Sequence, residues 1–77
     1  MARHIDMQLL REVISKQQPL LLPLLDSLNH VPLTIEQRES LREAIATELS
    51  ETGLDEEDEP NDRGMRLEEL ISYLGRL

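Results

Sequence analysis

This chain of 77 residues has no cysteine, phenylalanine or tryptophan, and Tyr73 is its only aromatic residue. Without cysteine there can be no disulfide framework, no thiolate nucleophile and no cysteine-ligated metal centre. The longest apolar run, residues 20–25 with Pro23 inside it, is six residues long. A membrane-spanning helix needs roughly 20. Because Asp6 and Arg11 interrupt the region where a signal peptide would be apolar, we expect a cytoplasmic protein.

Negative charge dominates the composition and is concentrated in one part of the chain. Sixteen acidic residues face eight basic ones, which gives a formal net charge of −8. Residues 34–54 carry −3 and residues 55–64 carry −5, whereas the two flanking segments are neutral. A chain with this charge repels phosphate backbones and anionic lipid headgroups, so we expect no direct binding to nucleic acid or to membranes.

The pattern of apolar residues predicts an all-α fold, a small bundle of four short helices with one acidic loop before the last helix. Leucine is abundant, with sixteen residues, and no segment shows the strict alternation of a half-buried strand. The helices are predicted at about residues 4–17, 20–30, 35–52 and 63–75, and the acidic loop at residues 54–62. We expect residues 1–77 to form a single domain.

The third predicted helix has a signal at each end. Thr34 and Gln37 have the spacing of a capping box, in which each side chain accepts a hydrogen bond from the other residue's backbone N–H. Gly53 follows the helix, and we expect it to adopt the left-handed conformation of a C-terminal cap. Leu54 would then contact Leu49.

The last two helices each show one apolar stripe, as expected of helices with a single buried face. The stripe of the third helix spans roughly 140° and contains Ile35, Leu41, Ile45, Ala46 and Leu49. The stripe of the fourth helix spans roughly 120° and contains Leu67, Leu70, Ile71, Leu74 and Leu77. Asp62 or Gly64 is the predicted N-cap of the fourth helix.

The first two helices have broader apolar faces, of roughly 200° each. In the first helix the face contains Ile5, Met7, Leu9, Leu10, Val13 and Ile14, and in the second it contains Leu20, Leu21, Leu22, Leu24, Leu25 and Leu28. A face this broad belongs either to a helix at the centre of its own bundle or to one that packs against another molecule. The candidates for such an interface are Leu21, Leu22 and Leu25.

The acidic loop allows three interpretations. It can be a solvated linker in which like charges repel, or a weak and nonspecific site for divalent ions, although no register fits the ligand pattern of an EF-hand. The third interpretation is recognition of a basic partner, steered by charge. The carboxylates that would carry this recognition are Glu56, Glu57, Asp58, Glu59 and Asp62.

One group of residues superficially suggests catalysis. Asp26, Ser27 and His30 could share a helix face, but a working triad holds the imidazole between the other two groups. Adjacent residues on a short helix rarely do so, and His30 near a helix C-terminus has a simpler electrostatic role. We therefore expect no enzyme activity, no cofactor and no bound metal.

Together these features favour a function in binding. The leading hypothesis is a small acidic protein-protein interaction module, such as an inhibitor or immunity-type protein that shields a basic partner. The alternative is a self-associating, dimeric structural or regulatory subunit in which the acidic loop only links two helices.

Overall fold

The computed structural model describes residues 5–28 and 30–76, and in these residues it confirms the all-α bundle of four short helices. Helix α1 spans Met7–Gln17, α2 spans Leu22–Asp26, α3 spans Ile35–Thr52 and α4 spans Asp62–Gly75. The long helix α3 packs against both α1 and α4. No helix in this part of the chain has the length and apolar character required to cross a membrane.

Helix α1 begins later than the predicted residue 4. Asp6 is its N-cap, and the Asp6 carboxylate accepts a hydrogen bond from the backbone N–H of Leu9 at 3.0 Å. This bond satisfies a backbone donor that has no partner within the helix, so α1 starts at Met7. Ile5 precedes the helix, and residue 4 lies outside the described residues.

The prediction of one continuous second helix over residues 20–30 is wrong. The chain instead forms a 3-10 turn at Pro19–Leu21, followed by the five residues of α2. Proline lacks a backbone N–H, and it is tolerated only in the first turn of a helix, which is where Pro19 and Pro23 both lie. At the other end, the Ser27 hydroxyl donates to the Leu24 carbonyl oxygen at 3.2 Å, and α2 ends at Asp26.

The bounds and the capping box of α3 are confirmed, but the predicted conformation of Gly53 is wrong. Gly53 has a φ of −99°, which lies outside the left-handed region. Close packing requires a glycine at this position, because a Cβ atom on Gly53 would lie 2.9 Å from the Leu49 carbonyl oxygen and 3.0 Å from the Cα atom of Gly64. The backbones at the end of α3 and the start of α4 therefore touch.

The N-cap of α4 is Asn61, so the prediction of Asp62 or Gly64 is wrong. The Asn61 side-chain oxygen accepts a hydrogen bond from the Gly64 N–H at 2.8 Å. Asp62 is instead the first residue of the helix, where its carboxylate lies near the positive end of the helix dipole.

The hydrophobic core is aliphatic and lies where α1, α3 and α4 meet. Its buried members are Leu9, Leu10, Val13, Ile14, Leu25, Leu41, Ala44, Ile45, Leu67, Leu70 and Leu74. Ile35 and Ala46, which the predicted stripe of α3 included, are exposed. They point more than about 100° away from the centre of the buried face of α3, because successive helical residues turn by about 100°. The predicted core position Leu77 lies outside the described residues.

Candidate interaction site

The acidic loop (residues 54–62) is an ordered turn whose two ends lie side by side. Leu54 and Pro60 form an isolated antiparallel bridge, and the Asp55 N–H donates to the Glu59 carbonyl oxygen at 2.8 Å. Next to this bridge, on the side of the helices, the Asn61 N–H donates to the Gly53 carbonyl oxygen at 2.9 Å. These bonds close the loop at its base and hold its path over the surface.

Inside the loop, the side chain of Asp55 organises the backbone. Its carboxylate accepts hydrogen bonds from the N–H groups of Glu57, at 2.8 Å, and of Glu59, at 3.1 Å. Asp58 has a φ of 62°, the left-handed conformation that non-glycine residues seldom adopt. Asp55 therefore has a structural role, whereas the neighbouring carboxylates are left to face solvent.

The five carboxylates predicted to bind a partner all lie on this ordered loop or at the start of α4, and all five residues are exposed: Glu56, Glu57, Asp58, Glu59 and Asp62. Within the described residues, no lysine or arginine forms an ion pair with any of them. The structure thus brings the predicted set together as one uncompensated negative surface.

One turn before the end of α3 lies a buried carboxylate, Glu48, that the sequence pattern did not predict. The side chain of Glu48, on α3, is 0 % exposed. It accepts hydrogen bonds from the Lys16 ammonium at 3.2 Å, the Gln17 amide at 2.8 Å, the Thr52 hydroxyl at 2.7 Å and the Arg63 guanidinium at 3.1 Å. These five residues, here named the Glu48 cluster, join α1, α3 and α4.

The surroundings of Glu48 keep it ionised. Burial of the carboxyl raises its pKa, but hydrogen bonds from Thr52, Gln17, Lys16 and Arg63 outweigh burial and lower the pKa to about 2. The same contact has the reciprocal effect on Lys16, whose pKa is raised, first of all by its hydrogen bond to Glu48. The cluster is therefore a charged and fully hydrogen-bonded centre across the physiological pH range.

The apolar interface candidates differ in how much surface they offer. Leu25 is only 4 % exposed and belongs to the core, so its side chain has almost no area for a partner. Leu21 and Leu22 are half-buried and pack against the core. Leu20, by contrast, is 90 % exposed, which makes it the most accessible large apolar side chain near α2.

The side chains of Asp26 and Ser27 are occupied by partners other than a histidine. The Asp26 carboxylate pairs with Arg11 at 3.1 Å, and the Ser27 hydroxyl donates to the Leu24 carbonyl oxygen. Among the described contacts, neither group bonds to the imidazole of His30. Within residues 5–28 and 30–76, no three His, Asp or Glu side chains are arranged to hold a metal ion.

Comparisons of this chain with protein-family models, with curated proteins and with solved structures found no match.

Proposed function

We propose that this protein is a small acidic protein-protein interaction module that binds a basic surface of another protein through the acidic loop. The observation that carries the proposal is that an internally hydrogen-bonded loop presents five exposed carboxylates with no cationic partner among the described residues. An inhibitor or immunity-type protein that shields a basic partner is the concrete form of this function.

The fixed shape of the loop supports recognition over a role as a plain linker. A flexible acidic segment would lose conformational entropy on binding, whereas a loop already closed by the Leu54–Pro60 bridge and the Asp55 carboxylate loses less. Charges clustered on such a surface also steer a basic partner and increase its association rate.

A charge-matched comparison tests this proposal. The loop variant replaces three exposed carboxylates with amides, Glu56→Gln, Glu57→Gln and Glu59→Gln, and the control variant carries Glu36→Gln, Glu43→Gln and Glu68→Gln, which are exposed residues on α3 and α4. We expect the loop variant to slow association with the partner that co-purifies at low ionic strength by about tenfold and to flatten its salt dependence.

The control variant has the same net charge as the loop variant, so it separates local recognition from a general effect of charge. We expect its association rate to stay within about twofold of the wild-type rate. Equal slowing by both variants, or unchanged rates in both, would reject the acidic loop as the binding surface.

Self-association is a second candidate, favoured by the exposure of large apolar side chains around α2. Leu20, Val31 and Ile35 are all exposed. We expect Leu20→Glu to reduce the mass of any dimer in light scattering to that of a monomer without unfolding the chain, because this side chain makes little contact with the core. Gln18→Glu, which adds the same charge at an exposed polar position, is the control. A wild-type protein that is monomeric at every concentration tested excludes this candidate.

A further inference from the structure

We infer that Arg63 is a strap that ties the acidic loop to the buried carboxylate of Glu48, so that the order of the loop depends on this one guanidinium group. The inference concerns the shape of the loop, and it goes beyond the proposed function because it holds whether or not the loop binds a basic partner.

Arg63 lies two residues after Asn61 and contacts the loop's point of departure from α3. Its Nε donates to the Thr52 hydroxyl oxygen at 3.0 Å, and its Nη2 donates to the Glu48 carboxylate at 3.1 Å. The Thr52 hydroxyl in turn donates to the same Glu48 oxygen at 2.7 Å. The three side chains therefore form a closed triangle in which each is fixed by the other two.

The closing end of the loop is attached to the last residue of α3, Thr52, and to the residue that follows it, Gly53. The Asn61 side-chain amide donates to the Thr52 carbonyl oxygen at 3.2 Å, and the Asn61 N–H donates to the Gly53 carbonyl oxygen at 2.9 Å. Arg63 thus holds the end of α3 and the start of α4 together at the place where the loop leaves one and enters the other. Arginine suits this role because its planar group can direct separate N–H donors to two acceptors at once.

Lys16 provides an internal comparison, because it binds the same carboxylate from a different helix, α1. Its ammonium lies 2.9 Å from Glu48 and 3.7 Å from Glu51, and among the described contacts it has no bond to Thr52, the residue of α3 that Arg63 and Asn61 both contact. If Arg63 only stabilised the whole fold, its loss would speed exchange of the loop amides and of the core amides in the same proportion, as the loss of Lys16 would. If Arg63 holds the loop in place, its loss should speed exchange of the loop amides more than that of the core amides, and the loss of Lys16 should not.

The test compares amide hydrogen exchange, measured by NMR, in the full-length Arg63→Gln and Lys16→Gln variants. Loop opening is read from the amides of Asp55, Glu59 and Asn61, which are hydrogen-bonded within the loop or at its base, and global opening from those of Val13 and Ile14 in the core. We expect Arg63→Gln to accelerate exchange of the loop amides by about tenfold relative to the core amides. Lys16→Gln should leave that ratio within about twofold of the wild-type value.

Two outcomes would overturn the inference. One is equal acceleration of the loop amides by both variants, which would make Arg63 only one of two cations that stabilise Glu48. The other is an unchanged ratio in Arg63→Gln, which would mean that the loop's own hydrogen bonds suffice. Because neither outcome depends on a partner, failure of the strap is distinguishable from failure of the proposed binding function.

Discussion

Replacement of Gly64 by alanine is expected to destabilise the protein by about 3 kcal/mol, a large fraction of the stability of a domain this small. The added Cβ would lie 2.0 Å from the Gly53 carbonyl oxygen and 3.1 Å from the Leu49 side chain. The first of these neighbours is backbone, which cannot move aside by changing a rotamer. The ends of α3 and α4 would have to separate, and this would disturb the closed base of the acidic loop. Thermal unfolding should show a melting temperature about 15 °C lower or more.

Gly75→Ala is the matched control, because it makes the same chemical change in the same helix. A Cβ on Gly75 would meet the Arg42 guanidinium group at 3.5 Å, which is an ordinary van der Waals contact. Since alanine is the better helix former, we expect the stability to stay equal or to rise by up to about 1 kcal/mol. If Gly64→Ala melted at the temperature of Gly75→Ala, the close backbone contact between α3 and α4 would be refuted.

The contrast between these two glycines illustrates what could be predicted from the sequence. The start of α3 was predictable because a capping box involves Thr34 and Gln37, residues three apart. Gly53 was correctly recognised as the residue after α3 but assigned the wrong role. The reason for glycine there is a contact with Gly64, eleven positions away along the chain, and no local pattern shows that contact.

The second helix shows a different limit of prediction from the sequence, namely the length of a helix. The leucines of residues 20–28 have a helical distribution, but Pro19 and Pro23 leave only a 3-10 turn and a five-residue helix. Apolar periodicity indicates which residues can be buried, whereas backbone donors decide how far a helix can extend. The half-buried state of Leu21 and Leu22 follows from this short, broken segment.

The position of the acidic loop in the chain could be predicted from the sequence, but its backbone conformation could not. A run of like charges followed by Pro60 is typical of a solvated linker. The observed order comes from Asp55, whose carboxylate accepts two backbone hydrogen bonds from the loop itself. Which carboxylate in an acidic run bonds back to the loop's own N–H groups depends on the backbone path, and composition does not determine that path.

The burial of Glu48 could have been predicted from its spacing along α3, but the predicted apolar stripe did not include it. It follows Leu41 by seven residues and Ile45 by three, so it lies on the buried face of α3. A stripe that includes Ala44 and Glu48 is rotated by roughly 80° from the predicted one and leaves Ile35 outside. The identity of its partners was not predictable, because Lys16 and Gln17 approach from α1 and Arg63 from α4.

Glu48→Gln should reduce the free energy of unfolding by about 3 kcal/mol at pH 7. The folded-state pKa of about 2 lies below the ordinary value of 4.5, a difference worth about 3 kcal/mol in favour of the folded state. Glutamine keeps one acceptor oxygen but places an amide donor against the cations of Lys16 and Arg63. Denaturant unfolding at pH 7 measures the loss.

The pH dependence of this loss identifies its origin. Because the folded-state pKa is lowered, the stabilising contribution of ionised Glu48 is complete above pH 4.5 and disappears as the pH falls towards 2. The difference in unfolding free energy between wild type and Glu48→Gln should therefore shrink steadily across that window. The comparison of two variants at each pH cancels the contribution of the other carboxylates, which titrate in both proteins.

Glu51→Gln is the control for this experiment. Glu51 lies one turn away on α3, accepts a hydrogen bond from Gln17 and pairs with Lys16, but its side chain is exposed. An exposed ion pair contributes at most about 1 kcal/mol, so we expect only a small loss of stability at pH 7. If Glu48→Gln behaved like Glu51→Gln, the buried carboxylate would not be the electrostatic centre of the bundle. If its deficit instead persisted unchanged at pH 2, packing of the side chain rather than its charge would join the three helices.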